Sequence, residues 1–211
     1  MMRRIVVSLL PLLVAAPLMG QTMVGIRAGL SRSTVSHEAF PDLGLDTHRT
    51  GFTAGVDVGL PVSNALEVRV GGAYVQKGLS VEESIGRVGL EMDYLQLSAL
   101  ARVGTSRKGP LSLGVLLGPW TAFHLSCDAS VSLDIPEFGS INESGSCGDG
   151  AKSMDFGIAA GGGAELAVSE SLRLGLDLVY SIALSDFAEG GGAGKHRNLA
   201  VQAGVVIPFG G

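Results

Sequence analysis

The sequence predicts an all-β protein: an eight-stranded antiparallel up-and-down transmembrane β-barrel with a side-chain-filled polar interior. Three observations support this prediction. Apolar residues recur at every second position in eight stretches, the connections alternate between short and long, and charges of both signs share the face opposite the apolar one. Although 46% of the 211 residues are hydrophobic, no uninterrupted apolar run reaches the roughly 18–20 residues of a membrane-spanning helix.

Residues 172–180 show the alternation most clearly. Four leucines and a tyrosine occupy every second position, with Arg173 and Asp177 between them. A period of two places the leucines on one face of a strand and the charges on the other. In a soluble sandwich the leucines would face inward. Here we expect the reverse, with the leucines facing lipid and the charges packed inside a closed barrel.

Seven further stretches alternate in the same way. They are residues 22–31, 52–60, 66–74, 94–103, 111–125, 156–166 and 199–209. Most have about 9–11 residues, the length with which a tilted strand crosses a bilayer. The second, fourth and sixth connections are tight and the others long, and residues 126–154 form the longest polar segment. Outer-membrane barrels pair short periplasmic turns with long external loops in this manner.

The predicted inner face holds charges of both signs in equal number. Its members are Arg27, Asp57, Glu67, Arg69, Arg102, Glu165, Arg173 and Asp177. Balanced charges can pair, so that neither sign is buried alone. An eight-stranded barrel is just wide enough for its own side chains, and glycines on the same face leave room for the long arginines. We therefore expect a plugged interior and no open pore.

Aromatic residues on the apolar face fall at the long-loop ends of their strands. They are Phe52, Tyr74, Phe123, Phe156 and Tyr180. Aromatic side chains are typical of the level at which hydrocarbon meets lipid headgroups. The sequence therefore predicts an aromatic belt on the side of the long loops.

The N-terminus predicts export. Two arginines precede an apolar stretch too short for a stable anchor, followed by small residues suited to cleavage. We expect residues 1–20 to be a signal peptide and residues 21–211 the barrel domain. Export leads to an oxidising compartment, so Cys127 and Cys147 are predicted to form a disulfide that holds the longest external loop compact.

Short motifs along the chain resemble those of the PorT-like family of outer-membrane β-barrel domains. They are GIRAGL at 25–30, YVQKG at 74–78, YLQL at 94–97, LGPW at 117–120, DFG at 155–157, LG at 174–175 and YS at 180–181. The resemblance implies an eight-stranded outer-membrane barrel of a Bacteroidetes-type bacterium. Some members of that family support secretion across the outer membrane. In this chain Gly210 and Gly211 follow Phe209, whereas the family usually ends on an aromatic strand end.

Together these features predict a non-catalytic integral protein of the bacterial outer membrane. Its external loops would serve envelope integrity, interaction or protein secretion, and we expect no cofactor and no metal. The expected partners are outer-membrane lipids, the barrel-assembly machinery during insertion, and secretion or envelope proteins. A net charge of −5 without a Lys/Arg cluster argues against nucleic acid, and we expect a monomer.

Two alternatives remain open from the sequence. His124 and Ser126 form a His-x-Ser pair that resembles the pair of lipid A-modifying outer-membrane hydrolases, where an activated serine needs the histidine within hydrogen-bond reach. A lipocalin-like barrel that binds a small apolar ligand is the other. Lipocalins line their cavity with apolar side chains and expose their charges, which is the opposite of the faces assigned here.

Overall fold

The computed structural model describes residues 21–36, 48–83, 86–135, 139–147, 152–186 and 195–209, all in strands and short connections. The strands are β1 (Thr22–Ser36), β2 (Arg49–Pro61), β3 (Leu66–Glu83), β4 (Gly86–Gly104), β5 (Leu111–Ile135), β6 (Gly139–Ser146), β7 (Met154–Ser169), β8 (Leu172–Ala183) and β9 (Lys195–Phe209). No helix long and apolar enough to cross a membrane occurs among these residues. The predicted signal peptide, residues 1–20, and the terminal Gly210 and Gly211 lie outside them.

Eight of the nine strands close into an antiparallel barrel. Each pairs with its neighbours in the order β1, β2, β3, β4, β5, β7, β8, β9, and β9 pairs back onto β1. Closure satisfies the backbone of every wall strand from both sides, which removes the sheet edges that a bilayer cannot hydrate. β6 stands apart from this ring, because it pairs only with the outer part of β5. The predicted eight-stranded barrel is confirmed.

The two faces of β8 settle which side of the wall is apolar. Leu174, Leu176 and Leu178 are 47%, 54% and 50% exposed on the outside. Arg173 and Asp177 are 6% and 2% exposed, inside the barrel. Charged side chains are rarely buried unless they are paired, whereas an apolar exterior on a closed barrel is the arrangement that lipid requires. The lipocalin-like alternative, which needs the opposite faces, is wrong.

Several strands extend well beyond the predicted bounds. The long connection predicted between the stretches 66–74 and 94–103 is mostly strand, because β3 continues to Glu83 and pairs with β4, which begins at Gly86. The predicted polar loop at residues 126–154 contains the outer part of β5, all of β6 and the start of β7. Beyond the bilayer neither face of a strand needs apolar residues, so the alternation that marks the barrel wall disappears while backbone pairing continues.

Inward-facing glycines make room for the buried charges. A Cβ atom added to Gly25 would lie 2.7 Å from both carboxylate oxygens of Asp57, and one added to Gly163 would overlap Oδ1 of Asp177. A Cβ on Gly114 would lie 2.8 Å from the guanidinium carbon of Arg102. Because these glycines have no side chain, the charged side chains of the neighbouring strands can pack directly against their backbone.

Replacing an inward glycine should therefore cost stability, and replacing its outward neighbour should not. We expect Gly163→Ala to lower the free energy of unfolding by about 1–3 kcal/mol, because the new methyl group displaces a carboxylate packed against it. Gly162→Ala is the matched control, since its Cβ would meet only the carbonyl oxygen of Gly114, at 3.6 Å. Urea unfolding from lipid vesicles measures both; equal midpoints for the two variants would contradict this role of Gly163.

Candidate functional site

The charged residues singled out from the sequence all lie inside the lower half of the barrel, toward the tight turns. Seven of them are buried, and Asp57 is half-buried. The ion pairs connect them across strands far apart in the sequence, as in the contacts of Arg69 with Glu165 and Asp177. The structure therefore brings the whole set together into one network.

Glu165 is the centre of this network. Arg107 contacts it through Nε and Nη2, each 2.7 Å from a carboxylate oxygen. Arg69 Nη2 donates to the same carboxylate at 3.2 Å. Three further guanidinium groups lie within 3.7–4.0 Å of it, those of Arg173, Arg27 and Arg102. One carboxylate therefore faces five arginines that come from four strands and a turn.

The other carboxylates connect the same arginines to one another. Asp57 accepts from Arg27 Nε at 2.7 Å, and Asp177 accepts from Arg69 Nη1 at 2.7 Å. Arg27 Nη1 also lies 3.1 Å from Asp177. Arg27 thus contacts three acidic residues, and Arg69 contacts all four. Such shared partners keep buried charges from standing alone, which is the condition under which a buried ion pair is tolerated.

Arg107 is a member of the network that the sequence analysis missed. It lies in the turn between β4 and β5, yet its side chain reaches into the barrel and contacts Glu67 as well as Glu165. Arg173 fixes this turn by donating to the carbonyl oxygens of Arg107 and Gly109 at 3.2 and 3.3 Å. Strand periodicity carries no information about a turn residue. With Arg107 included, the described network has five arginines and four carboxylates.

A second layer fills the barrel above the charges. Lys77, 1% exposed, lies with its Nζ 4.1 Å from the ring centre of Trp120 and 4.9 Å from that of Tyr94. The Tyr94 ring packs edge-on against His124 and His196, and its hydroxyl lies 3.5 Å from Nε2 of His196. This aromatic layer and the charge network together plug the lumen. Lys77 could have been found by continuing the alternation of β3 past Tyr74.

The His124–Ser126 pair is separated by a β-bulge. Tyr94 pairs with His124 and Asp93 with Ser126, so Leu125 is the extra residue of β5. Asp93 lies between the inward Met92 and Tyr94, and its side chain therefore points outward. Ser126 Oγ donates to Asp93 Oδ2 at 2.9 Å, whereas His124 packs against Tyr94 inside. The two members of the pair lie on opposite sides of the wall, which does not fit the geometry of an activated serine.

The five predicted belt aromatics all lie on the outer face. Phe52, Phe123, Phe156 and Tyr180 are 39% to 48% exposed, and Tyr74 is half-buried. Tyr74 accepts a hydrogen bond from Gln76 at 3.2 Å, and Gln76 also donates to Asp93. Beyond Tyr74 the outward side chains are therefore polar, as is typical of the border between hydrocarbon and headgroups. Beyond Phe123, Phe156 and Tyr180 the next outward side chains, Leu125, Met154 and Ile182, are still apolar.

The predicted disulfide joins Cys127 and Cys147, whose Cα atoms are 5.4 Å apart. It lies at the base of the β5–β6 hairpin, where the amide of Cys147 also donates to the carbonyl oxygen of Cys127 at 3.0 Å. Cys127 packs in the same apolar cluster as Met92, Tyr94 and Trp120. The bridge therefore anchors the hairpin to the aromatic layer of the barrel, rather than closing an irregular loop.

An eight-stranded closed wall with an apolar exterior and a charge-filled interior defines a transmembrane β-barrel. Residues 19–189 match the family model described as "Outer membrane protein beta-barrel domain". The chain belongs to this family, which places it in the bacterial outer membrane.

The chain is also similar to solved structures, one of which has a TM-score above 0.5 and supports the fold. The chain is similar to the outer membrane protein OprG from Pseudomonas aeruginosa, with 12% identity, coverage of 91% of this chain and 97% of that chain, and a TM-score of 0.52. Ail, the attachment invasion locus protein of Yersinia pestis, matches with 19% identity, 89% and 99% coverage, and a TM-score of 0.44. Neisserial surface protein A (NspA) matches with 15% identity, coverage of 88% of this chain and 97% of that chain, and a TM-score of 0.48. Comparison with curated proteins gives no match.

The position of Glu165 predicts a large effect of removing its charge. We expect Glu165→Gln to destabilise the barrel by about 3–5 kcal/mol, because it leaves buried arginines without their shared partner. The matched control is Glu91→Gln. Glu91 pairs with Arg49 at 2.7 Å but is 56% exposed, so its loss should cost less than about 1 kcal/mol. Reversible urea unfolding in lipid measures the two values, and a loss at Glu165 no larger than that at Glu91 would contradict the central role of Glu165.

The disulfide gives a second prediction for the exported protein. Without reductant, a thiol-reactive label should modify neither Cys127 nor Cys147, and after reduction and unfolding it should modify both. Chain-entropy arguments assign about 3 kcal/mol to closing a loop of this size. Reduction should therefore make the β5–β6 hairpin sensitive to protease while the barrel stays folded. Two reactive thiols in the untreated protein would show that the bridge is absent from the mature protein.

Proposed function

We propose that this protein is a non-catalytic display barrel, which holds a rigid external sheet at the cell surface for binding other envelope proteins. The barrel provides the anchor, because the charge network and the aromatic layer occupy its lumen. The external sheet provides the binding surface. Interaction is favoured over the other predicted roles because the described outer parts of β3, β4, β5 and β6 are paired strands.

One observation supports this proposal above the others. β3, β4, β5 and β6 continue past the level of Tyr74 and Phe123 as a paired sheet, in the order β3-β4-β5-β6. A sheet that extends beyond the bilayer into water is held in place by the part of the protein to which its strands are attached. The barrel wall fixes β3, β4 and β5, and the Cys127–Cys147 bridge fixes β6.

β6 supplies the element that another protein would bind. All eight of its residues, Gly139–Ser146, are exposed, and it terminates the strand order of the described sheet. An edge strand presents backbone N–H and C=O groups that can pair with an added strand. The polar, serine-rich sequence of β6 suits recognition through the backbone, with Ile141, 49% exposed, as an apolar contact. The partner of the proposal is therefore an extended segment of a surface-exposed protein.

The finer features expected from the sequence belong to the same proposal. Residues 1–20 direct export and are removed, and the barrel-assembly machinery inserts residues 21–211 as a monomer surrounded by outer-membrane lipids. The resemblance to PorT-like barrels of Bacteroidetes-type bacteria suggests that the partner belongs to a secretion or envelope assembly. The match of residues 19–189 to an outer-membrane barrel family supports the location in the outer membrane. The short motifs, such as GIRAGL at 25–30, support the resemblance to PorT-like barrels.

Site-specific photocrosslinking in living cells tests this function. A photoreactive residue in place of Asn142, on β6, should give crosslinks to another envelope protein. The same residue in place of Asn64, exposed in the turn between β2 and β3 at the opposite end, is the matched control and should not crosslink to that protein. Both substituted proteins should be recovered in the outer membrane with mobility that changes on heating. Crosslinks from Asn64 alone, or from neither site, would contradict the proposal.

A further inference from the structure

The tight-turn end of the barrel contains a cavity of about 320 Å³. Its walls are the start of β1, the turn between β2 and β3, and the turn between β4 and β5 that carries Arg107 and Lys108. This volume is at the lower end of the range found for small-molecule sites. The cavity lies directly below the charge network, and Glu67, Arg102 and Arg107 form part of both.

The charges around this cavity are not balanced. The described network contains five arginines and four carboxylates, and Lys108 adds an exposed cation at the mouth. Glu67, the one carboxylate in the lining, is already engaged by Arg107. An uncompensated buried cation is costly. The network therefore lacks one negative charge, and the cavity is where an anion would meet it.

Arg102 is the arginine with the weakest pairing. Its guanidinium is 4.0 Å from Glu165 and donates to the hydroxyl of Ser112 at 2.8 Å. Arg27 and Arg69, by contrast, each contact a carboxylate at 2.7 Å. Arg102 is 4% exposed and lines the cavity, so its guanidinium can donate to a molecule that enters there. Arginine donors in a planar fork match a carboxylate well.

The remaining lining determines which anion fits. Met23 and Pro61 provide apolar walls, and Ser63, Asn64 and Ser106 provide neutral polar groups nearby. Inorganic phosphate would leave the apolar part of the cavity unfilled. We propose that the cavity binds a small organic carboxylate with an apolar body, such as the C-terminal residue of a periplasmic peptide. Its carboxylate pairs with Arg102 and Lys108, and its apolar part packs on Met23 and Pro61.

Calorimetric titration of the mature protein, purified from outer membranes in detergent, tests the proposal. N-acetylleucine is the probe, N-acetylleucine amide is its uncharged counterpart, and inorganic phosphate tests the anion alone, all at constant ionic strength. We expect saturable binding of N-acetylleucine and no binding of the amide. Phosphate should bind at least about tenfold more weakly, because it gains no apolar contact. Equal binding of acid and amide, equal binding of phosphate, or no binding of N-acetylleucine would overturn the proposal.

Variants then locate the site. Arg102→Met should weaken binding of N-acetylleucine by about tenfold or more, as expected for loss of a buried charged hydrogen bond. Lys108→Met, at the exposed mouth, should weaken it by about twofold and leaves the buried network intact. Lys152→Met, beside the start of β7 at the opposite end, should leave it unchanged. A change in heat-dependent mobility would reveal misfolding of Arg102→Met. In that case the comparison of Lys108→Met with Lys152→Met decides, and equal affinities of these two variants for N-acetylleucine would overturn the assignment. The crosslinking experiment on β6 reports on the other end of the barrel and is independent of this outcome.

Discussion

The contact of Glu165 with its surrounding arginines is the interaction on which the rest of the structure depends. A closed barrel with an apolar exterior has only its interior in which to place charged side chains, and each of those charges loses its water. Glu165 lies between guanidinium groups that come from different sides of the barrel, and those of Arg107, Arg69 and Arg173 lie within 2.7–3.7 Å of it. Because strands far apart in sequence share this one carboxylate, the network connects the wall across its diameter.

This arrangement also explains the distribution of glycine. Long charged side chains that cross the lumen need space beside the neighbouring strand. Gly114 and Gly175 supply it for Arg102 and Arg27, and Gly163 supplies it for Asp177. Small inward residues and long charged ones are therefore two parts of one packing solution. The aromatic layer above, with Trp120 and Tyr94 around Lys77, fills the upper lumen with larger rings and anchors the disulfide. The external sheet rests on that layer.

Those features that follow from the two-residue period of a β-strand could be predicted from the sequence. In the barrel wall, lipid on one side and charges on the other force strict alternation, so the faces of β8 and the number of wall strands could be predicted. The extent of β3 to β6 could not, because outside the bilayer both faces of a strand meet water and the apolar signal vanishes. The role of Arg107 could not be predicted for a related reason. A turn has no residue period, and only the folded chain shows that the side chain of Arg107 reaches into the barrel.

The His124–Ser126 pair shows the remaining limit of pattern analysis. Two residues separated by one position share a face only while the strand is regular, and the extra residue Leu125 shifts Ser126 out of the alternation. A bulge of this kind leaves no clear trace in the residue types around it. The same irregularity directs Ser126 toward Asp93 and leaves His124 in the aromatic layer, so the local geometry favours a structural role for both residues.

The assignment of sides on β8 is the central claim, and lipid quenching of single fluorescent labels tests it most directly. Labels would be attached to cysteines introduced one at a time at positions 174 to 179, in a chain whose native cysteines are replaced by serine, reconstituted in brominated lipid. The structure predicts strong quenching at positions 174, 176 and 178 and weak quenching at 175, 177 and 179. Quenching that peaks at the odd positions, or that does not alternate at all, would contradict it.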